Sequence, residues 1–199
     1  MEGVDQLSNS FLKPVGDSHE VFRAAMNALA YPAQPRVLPS DLSPCGPMAP
    51  GSLALLLTLA DHDTPVWLAS SLATSESLRK FIAFHCGAPV VDDPTLAAFA
   101  FFSSPRELAP LARFAQGDPD YPDRSTTLIV QVEAFDDCAW RFSGPGLSSP
   151  RSFGVSPAPK GFADMWTANH AGFPLGVDLL FVCGKEIAAL PRSLRISEI

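Results

Sequence analysis

The densest group of chemistry-bearing residues is Asp61-His62-Asp63, a carboxylate–imidazole–carboxylate triplet directly after an apolar run. Those types can ligate a metal, but further ligands are needed, and no His-Glu-x-x-His or spaced Cys/His pattern supplies them. No metal is expected. Carboxylates beside a helix C-terminus oppose its dipole, so an arginine, backbone donors or a functional role must compensate. A structural turn is the first reading and a ligand or interface site the second, because loops often carry function. His85 follows Leu78 and Ile82 at helical spacing, which favours a packing histidine near a helix C-terminus over a ligand contact. His170 and His19 carry less signal, and nothing forms a recognisable nucleophile–base pair.

Phe173-Pro174-Leu175-Gly176-Val177-Asp178 sets a carboxylate into an apolar strand, where it needs hydrogen-bond partners or a cation. Arg192 is a candidate partner, and the pair reads as structural before it reads as functional. The lysines, at 13, 80, 160 and 185, fall on a polar helix side, in a turn or near loops. A Schiff-base enzyme needs a desolvated lysine, so pyridoxal phosphate chemistry has little support and no cofactor is expected. Gly144-Pro145-Gly146 matches neither G-x-G-x-x-G nor a P-loop and reads as a turn. Cysteines 45, 86, 138 and 183 form no C-x-x-C pair and are expected to be reduced, structural thiols.

The elements that must position these residues follow from periodicity. A helix is expected over Ser18–Ala30, capped by Asp17 with Glu20 reaching back. Val21, Phe22, Ala25, Met26 and Leu29 would form its apolar face, leaving Arg23 and Asn27 toward solvent or a partner. Gly51–Leu59 is apolar nearly all round and predicts a buried helix. A second amphipathic helix is expected over Ser75–Cys86, with Leu78, Phe81 and Ile82 inward. A weak helix near Arg106–Phe114 and another near Pro159–His170 complete the helices. Strands are expected at Gln34–Leu38, Pro65–Ala69 (with Trp67), Ala88–Val91, Leu96–Phe102, Val177–Cys183 and Glu186–Leu190. Thr126–Ala134 and Cys138–Phe142 read as a hairpin across Phe135-Asp136-Asp137. Interleaved strands and helices without repeat or linker favour a single α/β domain, a mixed sheet covered by helices, over residues 17–195 behind an N-terminal segment 1–16.

Composition narrows the function. A chain of 199 residues suits one sizeable core. Its formal charge of −7, with no run of lysines or arginines, excludes the concentrated positive field of a nucleic-acid binder. Ten of the 14 basic residues are arginine, so a local anion site stays open. No apolar stretch approaches the roughly 20 residues that span a membrane. Met1–Ser10 is polar and acidic, unlike a secretory signal, so the cytoplasm is the expected compartment. The 20 prolines, concentrated at Tyr31–Pro39, Pro44–Pro50 and Pro145–Pro159, imply irregular connections there.

Several blocks taken together resemble PhnH, the H-subunit family of the carbon–phosphorus lyase system. They are Phe22-Arg23 with Leu29-Ala30-Tyr31-Pro32, and the run from Leu55 through Asp61-His62-Asp63-Thr64-Pro65-Val66-Trp67 to Leu68. Phe84-His85-Cys86-Gly87-Ala88-Pro89, Gly144-Pro145-Gly146 and Phe173–Leu180 through Ala189-Leu190-Pro191-Arg192 continue the match in order. The resemblance implies an α/β fold similar to the large domain of pyridoxal-phosphate-dependent transferases, without that cofactor. It implies a homodimer joined to the G, I and J subunits. That complex couples a phosphonate to the ribose C1 of ATP and displaces adenine. The radical cleavage belongs to the J subunit, whose iron–sulfur cysteine motif is absent here. Cys86 within the His-x-Gly-Ala-Pro block and Tyr31-Pro32-Ala33 after the first helix depart from the family pattern, and little of 148–160 matches it.

The family supplies no agreed catalytic residues. Arg23, Asp61, Asp63, Trp67, His85, Asp178 and Arg192 are therefore candidates for a ligand pocket or a subunit contact. The leading expectation is an assembly subunit. The alternative is a phosphonate- or nucleotide-binding enzyme acting on its own.

Overall fold

The computed structural model describes residues 9–197, apart from the side chains at 137–139, so the expected thiol of Cys138 lies outside the described residues. Its first helix, α1 (Pro14–Ala30), begins a turn earlier than the capping pattern implied. Proline suits a first helical turn because its φ is preset and its missing N–H would have no partner. Asp17, one turn inside, accepts from the Lys13 main-chain N–H at 2.8 Å and so secures the start from within.

After α1 come β1 (Arg36–Val37), α2 (Pro50–Leu59), β2 (Val66–Leu68), the single turn α3 (Ser70–Ala73) and α4 (Glu76–His85). They are followed by β3 (Phe99–Phe102), β4 (Thr127–Gln131), β5 (Ala134–Ser143) and β6 (Arg151–Ser156). The chain closes with α5 (Phe162–Ala171), β7 (Asp178–Cys183), β8 (Glu186–Leu190) and β9 (Arg195–Ser197). Six strands form a mixed sheet in the order β1-β8-β7-β4-β3-β2. Strands β2, β3, β4 and β7 run parallel, while β8 and β1 are antiparallel to their neighbours. The expected α/β class with a mixed sheet is the one adopted.

The central strands read as near-continuous apolar runs because both sheet faces are covered. Alternate residues face opposite layers. Phe101, Ile129 and Leu180 pack with Leu53, Leu56 and Phe81 from α2 and α4, and with Val21 of α1. Phe102, Val130 and Phe181 pack the other way, against Trp166 of α5 and Phe142 and Phe153 of a second sheet. That sheet has three antiparallel strands in the order β6-β5-β9. Helix α2 is buried from Gly51 to Leu56, as its composition demands. A Cβ at Gly51 would stand 2.6 Å from the Gly184 carbonyl oxygen, so glycine is what lets α2 sit directly on the β7–β8 turn.

Several expectations are corrected. β4 and β5 are not a hairpin: β4 lies between β3 and β7, and β5 leaves for the second sheet. Strands β6 and β9 were not anticipated. The helix expected near 106–114 is two single 3-10 turns, Pro105–Glu107 and Leu111–Arg113, kept apart by Pro110, which cannot continue a helix. The strand expected at 88–91 reduces to one bridge between Val66 and Val90. On α1 the inward stripe is Val21, Ala25 and Ala28, while Phe22 and Met26 are 45% and 48% exposed.

Candidate functional site

In open sheets with parallel strands, ligands bind outside the carboxyl ends of those strands. Here that edge is formed by the ends of β2, β3 and β4. Just beyond them, the Glu107 carboxylate accepts from the hydroxyls of Ser103 and Ser71 at 2.7 and 2.8 Å. It also accepts from the Ser71 and Ser103 main-chain N–H groups. Partial burial pushes the Glu107 carboxyl up, but the bonds from Ser103 and Ser71 outweigh it and hold the group below its ordinary value. Gln131, the buried last residue of β4, accepts from the Ala49 N–H and donates to the Pro47 carbonyl at 3.0 Å. Protein groups at this edge thus satisfy one another. The sequence did not single out Glu107, Ser71 or Ser103. The available signal was Ser103-Ser104-Pro105-Arg106-Glu107 directly after a strand, a run that reading a helix over 106–114 concealed.

The opposite edge carries the charged pair anticipated from sequence. Asp178 opens β7 and Arg192 follows β8, and the antiparallel pairing of Leu179 with Leu190 brings the two together. The Asp178 carboxylate accepts from the Arg192 main-chain N–H at 2.7 Å, from its Nε at 3.1 Å and from its Nη2. Arg192 Nη1 donates to the Pro122 carbonyl at 2.8 Å. With side chains 18% and 14% exposed, each charge is largely removed from water and answered by the other.

The Arg192 carbonyl accepts from His170 Nδ1 at 3.0 Å. A carbonyl can only accept, so Nδ1 carries the proton, and His170 Nε2 is free to accept from Arg195 Nε at 3.4 Å. His170 lies one helical turn after Trp166, whose indole N–H donates to the Leu194 carbonyl at 2.9 Å. Asn169 exchanges two 2.9 Å hydrogen bonds with the Val177 backbone and fixes the loop between α5 and β7. His170, Phe173, Arg195, Ser143, Ser193 and the Gly144-Pro145 turn border a cavity of about 570 Å3. His170, which with His19 carried less sequence signal than His85, borders this cavity.

The remaining candidates are scattered. Asp61 turns the chain after α2: its Oδ1 accepts from the Asp63 N–H at 2.9 Å and the Thr64 hydroxyl at 3.0 Å. Those bonds, the Asp63 N–H foremost, hold its carboxyl below the ordinary carboxylate range and provide the compensation expected beside a helix end. Asp63 contacts His62 at 3.3 Å with both side chains about four-fifths exposed, an arrangement worth little to stability. Trp67 packs into the core, 5.4 Å from the Phe102 ring and 5.5 Å from that of Phe114. The His85 ring lies 4.3 Å from the Phe81 ring, bordering the apolar face of α4. Arg23 is exposed on α1, beside a shallow groove toward Pro35 and Val37.

Among the described residues, no group of three His, Cys, Asp or Glu could hold a metal ion, and no helix is long and apolar enough to cross a membrane. Cys45, Cys86 and Cys183 are free thiols. All four lysines are exposed, and Lys80 pairs with Glu76 at 2.7 Å. Gly146 explains how two separated sequence blocks belong together. Its φ is +83°, and a Cβ there would stand 2.7 Å from Pro32 Cδ and closer still to the Ala30 carbonyl oxygen. The Gly-Pro-Gly turn therefore rests directly on the Ala30-Tyr31-Pro32 helix stop.

Comparison with known proteins agrees with this arrangement of blocks. The family model for PhnH, a bacterial phosphonate metabolism protein, matches residues 9–197. The alpha-D-ribose 1-methylphosphonate 5-triphosphate synthase subunit PhnH of Rhizobium meliloti (strain 1021) is 41% identical over 194 residues, covering 95% of this chain and 94% of the relative. The putative C-P lyase subunit protein HtxG of Stutzerimonas stutzeri is 29% identical over 181 residues, covering 88% and 84%. With its whole described fold inside that match, the chain belongs to the PhnH family of bacterial phosphonate metabolism proteins.

Proposed function

We propose that this chain is an assembly subunit of the carbon–phosphorus lyase core complex, acting in the cytoplasm as a homodimer joined to the G, I and J subunits. In that complex it supports transfer of phosphonate to the ribose C1 of ATP with release of adenine, and it needs no cofactor of its own. The reading includes one domain over residues 17–195 behind the segment 1–16, similar in fold to the large domain of pyridoxal-phosphate-dependent transferases. Two relatives named as subunits of such systems support it.

The observation that carries the docking role is the outer face of α1. Phe22 and Met26 stand one turn apart, and Tyr31 follows at 53% exposure. The small residues Ala25 and Ala28 occupy the inner face instead, which leaves the larger side chains in water. Covering the exposed half of each would gain about 1 kcal/mol per residue, and apolar surface of this kind suits a subunit contact. The test is co-expression with the G, I and J subunits of the same organism, followed by size-exclusion chromatography. Co-elution as one large species is expected. Partners that assemble without this chain would sink the proposal.

A further inference from the structure

We infer that the cavity between the ends of α5, β5 and β9 is a binding site for a phosphate-class dianion, inorganic or carried on a small organic group. The chain is acidic overall, with a formal charge of −7, yet no carboxylate among the described residues lines this cavity. By contrast, Asp17, Glu20 and Asp41 line the cavity at the start of α1, and Glu20 lines the groove beside Arg23. Among the described residues, the charged side chain at the cavity between α5, β5 and β9 is Arg195.

Arg195 is set up as a fork rather than a loose charge. Its Nε donates to His170 Nε2, and His170 is held by the Arg192 carbonyl, whose own residue is clamped to Asp178. His170 is thus a positioning residue. With Nε engaged, both terminal nitrogens of Arg195 hold no partner among the described residues, which is the geometry for gripping two oxygens of one oxyanion. The Ser143 and Ser193 hydroxyls, also without a partner among the described residues, supply further donors from the end of β5 and from the turn between β8 and β9. A volume of about 570 Å3 exceeds what a bare tetrahedral anion fills. Phe173, 55% exposed with its ring stacked 6.3 Å from that of His170, gives an organic substituent an apolar wall.

The inference concerns the isolated chain and does not depend on partner subunits, so it stands or falls separately from the assembly reading. Binding of inorganic phosphate and of methylphosphonate would be measured by titration calorimetry on the purified protein at low ionic strength. Both should bind, with at least tenfold weakening in Arg195→Gln and a smaller loss in Arg195→Lys, which keeps charge but not the fork. Arg106→Gln, an exposed arginine outside the cavity, should bind as the unmodified chain does. Tighter binding of methylphosphonate, removed by Phe173→Ala, would assign the site to an organic ligand; equal affinities would assign it to the inorganic ion. Absence of binding by either anion at millimolar concentration, or affinity unchanged in Arg195→Gln, would overturn the inference. Arg195 is exposed, and unfolding midpoints of the variants would establish that each is folded.

Discussion

Arg192 holds Asp178 by main chain and side chain at once: its N–H reaches Oδ1 at 2.7 Å, its Nε the same oxygen at 3.1 Å, and its Nη2 the other. One carboxylate therefore fixes both the direction of the guanidinium and the path of the chain leaving β8. That path turns the Arg192 carbonyl toward His170 and leads within three residues to Arg195 and β9.

Replacing Asp178 with asparagine should destabilise the chain by about 2 kcal/mol, because a mostly buried guanidinium loses its counter-charge. Arg192→Met should cost a similar amount, and the double variant less than the sum, since the two residues form one unit. Urea unfolding of the four proteins checks this. Strict additivity would mean that the pair is not coupled.

Gly146→Ala should be among the most damaging single-methyl changes in the chain, at about 3 kcal/mol. It combines left-handed backbone with a Cβ driven into the Ala30 carbonyl and the Pro32 ring. Gly161→Ala is the matched control: its φ is +65° but nothing lies within 4 Å of the new Cβ. Only the backbone penalty of about 1 kcal/mol should appear there. Equal midpoints for the two variants would show that the turn does not rest on the helix stop.

Acid should weaken the carboxyl edge of the sheet through Glu107. Its folded value lies below the unfolded 4.5, so between the two the unfolded chain binds more protons, and stability rises with pH there. The contribution is fully present above 4.5 and is lost as pH falls through the folded value. Glu107→Gln should be less stable at neutral pH and show a shallower loss on acidification. Parallel stability–pH curves for the two proteins would refute the assignment.

Burial pushes the Cys86 thiol up to about 11 and raises Cys45 as well. Burial, then the Glu186 charge, also raises Cys183. At pH 8 only a small fraction of Cys86 is thiolate, the reactive form. Mass-mapped labelling with iodoacetamide should leave Cys86 unmodified in the native chain and modify it after unfolding. Rapid native labelling would contradict its raised pKa and partial burial.

Phe22→Ser with Met26→Ser should leave the isolated chain folded, at a cost of at most about 1 kcal/mol, because both side chains are already half in water. Association should suffer instead. Size-exclusion chromatography of the doubly substituted chain, alone and with the core subunits, should show a smaller species or a lost partner. Unchanged elution in both settings would remove α1 from the docking surface.

Local composition was enough to place α2, α4, β7 and β8, because each pattern has one way to satisfy itself. Helix α2 is too apolar to be anything but buried, and Leu78, Phe81 and Ile82 define a single stripe on α4. The Asp178–Arg192 contact was legible for a related reason, since a carboxylate at the head of an apolar strand needs hydrogen-bond partners or a cation, and Arg192 supplies both. Other choices were decided only by packing. On α1, Val21-Ala25-Ala28 and Phe22-Met26-Leu29 are adjacent stripes of equal period, and periodicity cannot rank them. Close approach to α2 and β8 selects the stripe containing alanines and turns Phe22 and Met26 outward. β4 and β5 looked like a hairpin because strand propensity says nothing about partners, and register with β3 and β7 took β4 instead. The same holds for His170 and Arg195. Each is unremarkable in its own segment, and only the return of the chain past Arg192 sets them on one cavity. Sequence determined what each segment must bury; long-range pairing, invisible to any local window, determined which residues meet.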